Sequence, residues 1–279
     1  MWIPRFADSL TWKPALATLL LTLLNACLFS VVNRSARVTR SIVSLPVFLY
    51  LFTVGAIPAL HTGWQSQILV LMFQFVLLLL LRTYRKETTS EESFLCTLLL
   101  CLSALVLPDM LLLVPVLWLA FLLQGAMNIK AFFASLIAVM LTAVYFFVAV
   151  FLGWIQPAEL SACIIRSNHS PLLNLPLFVS TLLLIVSSVF AVVCNLRTYQ
   201  QQRSIVTTYL TCLILPMLLC FTMCFFPSLN APSFLALSAY LTACIHVYFF
   251  STQQSVFAGS CFLAFILLFA ASYALYFFL

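Results

Sequence analysis

Long apolar stretches, separated by short polar or basic stretches, run through almost the whole chain. Ten of them are long enough to cross or enter a bilayer as helices, since a full crossing takes about 20 residues. The predicted spans are 14–32, 42–60, 65–81, 94–107, 109–125, 131–154, 174–194, 205–225, 231–250 and 256–278. The pattern therefore predicts an all-α polytopic transmembrane helix bundle with about ten spans.

Residues 1–13 follow a different pattern. Trp2, Phe6 and Leu10 recur every four residues, which predicts a short amphipathic segment at the membrane interface. No loop between the spans is long enough to fold as a soluble domain. We therefore expect residues 14–279 to form a single transmembrane domain.

The fourth and fifth predicted spans, 94–107 and 109–125, are short and are joined by Pro108-Asp109. Proline lacks a backbone donor and disfavours helical geometry in the residue before it, so we expect a break there. The pair is either two thin spans or a re-entrant hairpin buried in protein. Both readings return the chain to the side from which it came, whereas a single kinked helix would carry it across.

Charge is scarce in this chain and unevenly distributed. It has 12 lysines and arginines and 6 acids among 279 residues, whereas about a quarter of a soluble domain is charged. In the ten-span reading, the loops after the odd-numbered spans hold nine cations, namely Arg34, Arg37, Arg40, Arg82, Arg85, Lys86, Lys130, Arg197 and Arg203. The other side holds three, namely Arg5, Lys13 and Arg166.

This bias predicts the orientation, because cytoplasmic loops are enriched in lysine and arginine. The nine-cation side is then cytoplasmic, and both termini lie outside. Treating 94–125 as one span would leave seven cations against five, which favours the ten-span reading. The net charge of +6 is expected to face anionic lipid, so we predict membrane lipids as partners, other envelope proteins as a second class of partner, and no nucleic acid.

The interior of the predicted spans contains no acid, lysine or arginine near its middle. The central polar side chains are Asn25, Gln74 and His246. We expect Asn25 and Gln74 to form hydrogen bonds between helices, and His246 to be a neutral imidazole bonded to a neighbouring helix. The lack of deep titratable groups argues against a proton- or ion-coupled pump.

The outer loops hold the best candidates for catalysis. Asp109 ranks first, because it follows Pro108 at the tip of the short pair, where it either caps a helix start or presents an acid at a cavity mouth. His61, Glu159 and His169 are weaker candidates for acid–base chemistry. They share no spacing typical of a metal site or a paired-carboxylate site, so we expect neither a metal nor a cofactor.

The inner loops hold candidates for binding lipid phosphate. Arginine forks match phosphate geometry, and six basic residues follow the first and third spans: Arg34, Arg37, Arg40, Arg82, Arg85 and Lys86. The alternative is that these residues are a topology signal facing anionic headgroups. Glu91 and Glu92 are expected to open the helix that follows.

The stretch from Arg82 to Phe151 carries a family resemblance. Its features are the basic loop 82–86, a short span, Leu107-Pro108-Asp109 and the turn 124–132 before a long span. In these it resembles uncharacterised multi-spanning inner-membrane proteins of Bacteroidota. The resemblance implies a bacterial inner-membrane location and about ten spans, and it implies no reaction. The chain departs from that pattern in showing one span, not two, before its first basic loop.

Three functions remain open on the sequence. The first is an envelope-associated scaffold or assembly factor, and the second is a polyprenyl-linked sugar transferase or polymerase. The third is a transporter or flippase for an amphipathic substrate. The third draws on a possible inverted repeat of five plus five spans, in which Leu45-Pro46-Val47-Phe48 would correspond to Leu175-Pro176-Leu177-Phe178.

Overall fold

The computed structural model describes residues 12–35, 44–61, 64–83, 89–153, 175–198, 204–225, 231–253 and 255–278. Within these ranges the chain forms ten α-helices and no strand. They are α1 (Trp12–Ser35), α2 (Ser44–Gly55), α3 (Trp64–Arg82), α4 (Ser90–Val106), α5 (Leu113–Leu123), α6 (Ile129–Phe151), α7 (Leu175–Thr198), α8 (Ser204–Cys224), α9 (Ala231–Thr252) and α10 (Val256–Phe278). The predicted all-α class is confirmed.

Six of these helices are long and apolar enough to cross a membrane: α1, α3, α6, α7, α9 and α10. The others are shorter than the sequence predicts, or differently bounded. The predicted span 42–60 ends as a helix at Gly55, because Pro58 begins a 3₁₀ turn and Ile57 before it is extended. Residues 1–11, which hold most of the predicted interfacial segment, lie outside the described ranges.

The short pair also differs from its predicted bounds. Helix α4 begins at Ser90, four residues before the predicted start, and Glu91 and Glu92 form its first turn as expected. The predicted span 109–125 begins as a 3₁₀ helix, Pro108–Leu112, which continues into α5. Each helix of the pair is therefore shorter than the ~30 Å of a hydrocarbon core.

The two ends of this pair lie side by side. Thr89, before α4, donates to the carbonyl of Ala126, after α5, at 2.6 Å, and Thr83 donates to Oε1 of Gln124 at 2.8 Å. A single kinked helix over this stretch would separate its ends by about 50 Å. The chain therefore turns back at Pro108, and the single-helix reading is wrong.

Other hydrogen bonds give the direction of the remaining helices. Ser66 pairs with Ser233 at 3.2 Å, which places the starts of α3 and α9 at the same end of the bundle. Ser180 pairs with Ser272 at 3.1 Å, so the start of α7 lies beside the last turns of α10. Gln124 contacts Sγ of Cys212 at 3.2 Å, which joins the end of α5 to α8. Consecutive helices therefore alternate in direction.

Helices α1 and α3 run parallel. Asn25 lies beside Gln67, and further along the two helices Phe29 and Phe73 both contact the ring of Tyr240, with centroids 5.2 and 6.5 Å apart. The order of contacts is the same along both helices, so their last residues lie at the same end of the bundle.

Helix α9 is the centre of the bundle. It is packed by α2, α3, α7, α8 and α10, and 94% of its membrane-length part is buried. Small side chains allow this close approach, since Ala236, Ala239 and Ala243 are fully covered. A helix that is covered on all sides needs no polar face.

Helix α6 lies at the edge and packs along α4 through small residues. Ala131, Ser135 and Ala138 form its buried face. Ser93 of α4 donates to the carbonyl of Ala131 at 2.9 Å, and Thr97 donates to Ser135 Oγ at 3.0 Å. Hydrogen bonds and close backbone approach are how helices associate in lipid, where the surroundings are as apolar as the side chains.

The packing does not repeat between the two halves of the chain. Helix α1 packs along α3, whereas its counterpart in a repeat, α6, packs along α4. The central α9 would correspond to α4, which lies beside α3 and α6 and not at the centre. The hypothesis of a five-plus-five inverted repeat is therefore wrong.

Candidate functional site

A cluster of buried polar side chains joins α1, α2 and α3. Asn25 donates through Nδ2 to the carbonyl of Gln67 at 2.9 Å and to its Oε1 at 3.2 Å. Tyr50 donates its hydroxyl to the same Oε1 at 2.8 Å. Gln74 donates to the carbonyl of Asn25 at 3.1 Å. These four residues, the polar cluster, are completely covered by protein.

The geometry of the cluster follows from helical spacing. Gln67 and Gln74 lie seven residues apart, so two turns of α3 place them on one face, above and below Asn25. Asn25 and Gln74 thus take part in the expected bonds between helices. Each such bond satisfies a group that would otherwise be costly in an apolar interior.

An aromatic wall closes the cluster toward α9. Tyr240 packs edge-on against Phe29 and Tyr50, with centroids 5.2 and 6.0 Å apart. Seven buried polar atoms have no hydrogen-bond partner in the described part of the chain, and three of them belong to the cluster: Asn25 Oδ1, Gln67 Nε2 and Gln74 Oε1. The cluster can hydrogen bond, but its neutral side chains supply no charge for moving an ion.

His246 lies on a different part of α9, in an apolar cleft. Its Nδ1 bonds the carbonyl of Thr242 at 2.8 Å. The expected partner on a neighbouring helix is therefore wrong, because the carbonyl one turn earlier in α9 is closer to the ring. Phe250 and Phe265 flank the imidazole, with centroids at 5.8 and 4.7 Å.

Asp109 lies in the first turn of the 3₁₀ helix Pro108–Leu112 and is partly buried. The cap position itself is held by Leu107, whose side chain makes no capping bond. His61 lies elsewhere, directly after the 3₁₀ turn Pro58–Leu60. Its Nε2 bonds the carbonyl of Gly55 at 3.1 Å. The other two catalytic candidates, Glu159 and His169, are outside the described ranges.

The basic candidates also include residues inside and residues outside the described ranges. Arg34 ends α1 and Arg82 ends α3, so the two exposed guanidinium groups lie at one end of the bundle because these helices are parallel. Lys130, also exposed, begins α6 at that end, beside Thr89 and Ala126. Outside the described residues lie Arg37, Arg40, Arg85 and Lys86.

Charge is kept out of the interior of the described helices. Each of the charged side chains whose environment is described, namely Arg34, Arg82, Glu91, Glu92, Asp109 and Lys130, is exposed or partly exposed and lies at an end of its helix. No group of three histidine, cysteine or acidic side chains gathers as a metal site in that part of the chain.

Three members of the buried network were not singled out from the sequence. Gln67 falls near the start of its predicted span, and Tyr50 and Tyr240 count as apolar in a hydropathy pattern. The spacing of Gln67 and Gln74 was the available signal, because two amides seven apart share a helix face. The chain matches no protein-family model, no curated protein and no solved structure.

Proposed function

We propose that the chain is an integral protein of a bacterial inner membrane, and that it acts as an envelope-associated scaffold or assembly factor by holding a transmembrane helix of a partner against α6. The observation that carries the proposal is a stripe of large apolar side chains along the outer face of α6. It is supported by the distribution of apolar residues in the bundle and by the lack of buried charge.

The burial of the helices supports a bilayer as the solvent. The more apolar membrane-length helices are less covered than the less apolar ones: α6, α7 and α10 have mean hydropathies of 2.4, 2.6 and 2.1 and are 17%, 33% and 22% buried. The least apolar, α9, has a mean hydropathy of 1.6 and is 94% buried. Water would drive the opposite arrangement, because exposing apolar surface to it is unfavourable.

The outer face of α6 has the spacing of a helix-pairing seam. Phe133, Ile137, Met140, Val144, Phe147 and Phe151 follow one another at alternating intervals of four and three residues, and each is more than half exposed. This is the heptad spacing in which side chains of one helix fit between those of another. No charged residue occurs from 131 to 151, so the matching partner is itself an apolar, membrane-embedded helix.

The two alternative functions have less support. A transporter coupled to protons or ions needs titratable groups at depth, and the described charged side chains lie at helix ends. A sugar transferase would depend on Asp109, which is partly buried in the first turn of the 3₁₀ helix Pro108–Leu112. Asp109→Asn separates this alternative: a loss of envelope function with normal accumulation would favour the enzyme, and full function would exclude Asp109 as a catalyst.

The orientation remains the one that the basic loops predict, with both termini outside. Reporter fusions after residues 88 and 165 test it. We expect a cytoplasmic readout at 88 and an external readout at 165. Equal readouts at the two positions would contradict this topology.

Photocrosslinking in the native membrane tests the scaffold. A photoreactive amino acid replaces Met140 in the stripe or, as a matched control, Leu267 on α10; the two native side chains are similarly exposed, at 62% and 59%. We expect a discrete adduct to one membrane protein from position 140, and also from 144, but not from 267. The adduct should be lost when Ile137 and Phe147 are both replaced by alanine.

Three outcomes would overturn the proposal. Adducts to lipid alone at position 140 would show that α6 faces only the bilayer. Equal protein adducts at 140 and 267 would show non-specific contact. An adduct to a second copy of this chain would make α6 a homodimer interface instead of a scaffold.

A further inference from the structure

A cleft opens on the side of the bundle between α7, α9 and α10. Its volume is about 270 Å³, and its walls are almost entirely apolar. Phe190, Phe249 and Phe265 line it, and Val186 and Leu268 at its rim are more than half exposed. The cleft is therefore accessible from the surroundings of the bundle and not from its core.

Two polar side chains line this cleft: Ser187, whose hydroxyl donates to the carbonyl of Leu184 in its own helix, and His246. His246 lines the cleft and is 2% exposed. Because the carbonyl of Thr242 can only accept, Nδ1 is the nitrogen that carries the hydrogen. In the neutral imidazole Nε2 is then an acceptor, and it has no hydrogen-bond partner within the described residues.

The groups that line the cleft and its volume indicate which kind of ligand it can bind. An acceptor nitrogen is matched by a donor, and the smallest donor on an apolar molecule is a hydroxyl group. The residues that line the cleft include no charged side chain, so an ionic headgroup would be desolvated without a partner. The volume is enough for roughly ten methylene-sized groups, which fits a segment of a lipid chain.

The depth of His246 agrees with such a ligand. It lies six residues before the end of α9 at Thr252, which is about 9 Å along the helix axis. In a bilayer whose surface is level with the end of α9, a hydroxyl bonded there lies below the charged headgroups. We propose that this cleft binds a neutral lipid with a free hydroxyl group, which donates a hydrogen bond to Nε2 of His246.

The test uses the full-length protein, purified and placed in lipid nanodiscs. The probe is a long-chain alcohol with a diazirine in its chain, and the reference probe is its methyl ether, which has the same shape but no donor. We expect the alcohol to label the wild type about fivefold more efficiently than the ether, the effect of one modest hydrogen bond. His246→Phe keeps an aromatic ring but removes the acceptor, so the two probes should label this variant with equal efficiency.

A second pair of variants tests the cleft itself. Ala264 lines the cleft on α10, whereas Ala270 is exposed on another face of the same helix. Ala264→Phe should fill the cleft and reduce labelling by both probes several-fold, and Ala270→Phe should leave labelling at the wild-type level. This pair remains informative if His246→Phe fails to fold.

Two results would overturn the proposal. Equal labelling of the wild type by the alcohol and the ether would show that Nε2 does not select a donor. Equal labelling of the Ala264→Phe and Ala270→Phe variants would show that the probe binds elsewhere. Both results are independent of the α6 proposal, because the cleft is built from α7, α9 and α10.

Discussion

Helices α6 and α9 have similar lengths and opposite positions. The membrane-length part of α6 has a mean hydropathy of 2.4 and is 17% buried, whereas that of α9 has a mean hydropathy of 1.6 and is 94% buried. Hydrophobicity therefore does not decide which helix is central. Where the surroundings are lipid, an apolar side chain gains little by leaving them.

The composition of the two helices explains their positions. In α9, alanines and hydroxyl residues alternate with larger side chains, and Ser188 of α7 reaches Thr242 at 2.7 Å. In α6, the buried face against α4 consists of the small residues Ala131, Ser135 and Ala138, and most of the exposed residues are large. The helix at the centre of the bundle is the one that neighbouring helices can approach closely on all sides.

The largest expected effect comes from a charge on the exposed face of α6. Val144 lies near the middle of that face and is 58% exposed. In a bilayer, Val144→Lys should cost about 2.5–3.5 kcal/mol of insertion free energy, whereas on a surface in water it would cost almost nothing. The fraction of protein recovered in carbonate-washed membranes measures this difference.

Val144→Leu is the matched control and should integrate like the wild type. Equal membrane integration of the lysine and leucine variants would contradict a lipid environment for α6. Without a lipid environment, there would be no physical reason for the more apolar α6 to be less buried than α9.

A smaller effect is expected from overpacking α9. Ala239 is fully buried, so Ala239→Phe should destabilise the bundle by about 1–3 kcal/mol. Ala143→Phe makes the same change on the exposed side of α6 and should have almost no effect. Unfolding by sodium dodecyl sulfate in mixed micelles measures both, and equal destabilisation would show that α9 is not the packing centre.

Helix positions were largely predictable from the sequence, and the packing was not. The apolar runs locate the ten helices, and Pro108 locates the turn of the short pair. Which helix is central could not be read from them, because hydropathy ranks α9 last among the membrane-length helices. That place follows from close packing of alanines, which a hydropathy pattern does not record.

The candidate site was predictable only in part. Asn25, Gln74 and His246 were identified as polar residues at depth, since such residues are conspicuous in an apolar run. Their partners were harder to find: Gln67 is near a helix start, and Tyr50 belongs to a helix whose register against α3 is a tertiary property. The cleft beside His246 depends on how α7, α9 and α10 pack against one another, for which the sequence has no signal.

Removing an amide from the polar cluster should have an effect of about 1–2 kcal/mol. Gln67 Oε1 accepts hydrogen bonds from Asn25 and Tyr50, so Gln67→Leu leaves two buried donors without this acceptor. Gln65→Leu is the control, because Gln65 is exposed on the same helix. The same mixed-micelle unfolding measures both, and a stabilised Gln67→Leu variant would show that the cluster is not a structural link.

The smallest expected effect concerns the attachment of α6 to α4. The hydroxyl of Thr97 shares its one hydrogen between Ser135 Oγ of α6, at 3.0 Å, and the carbonyl of Ser93 in its own helix, at 2.8 Å. The hydroxyl of Thr222 on α8 bonds only a carbonyl of its own helix, that of Leu219. Thr97→Val should therefore cost about 0.6 kcal/mol, the average for a hydrogen bond between membrane helices, and Thr222→Val should cost less.

The location of the Thr97→Val effect distinguishes an edge helix from a central one. Loss of this bond should increase hydrogen exchange or cysteine accessibility along α6 and leave α9 unchanged, because the bonds of Ser135 go to Thr97 of α4 and Trp118 of α5. A variant that loosens α9 as much as α6 would show that the two helices unfold together. In that case α6 would be part of the packed core and could not be an independent surface for a partner helix.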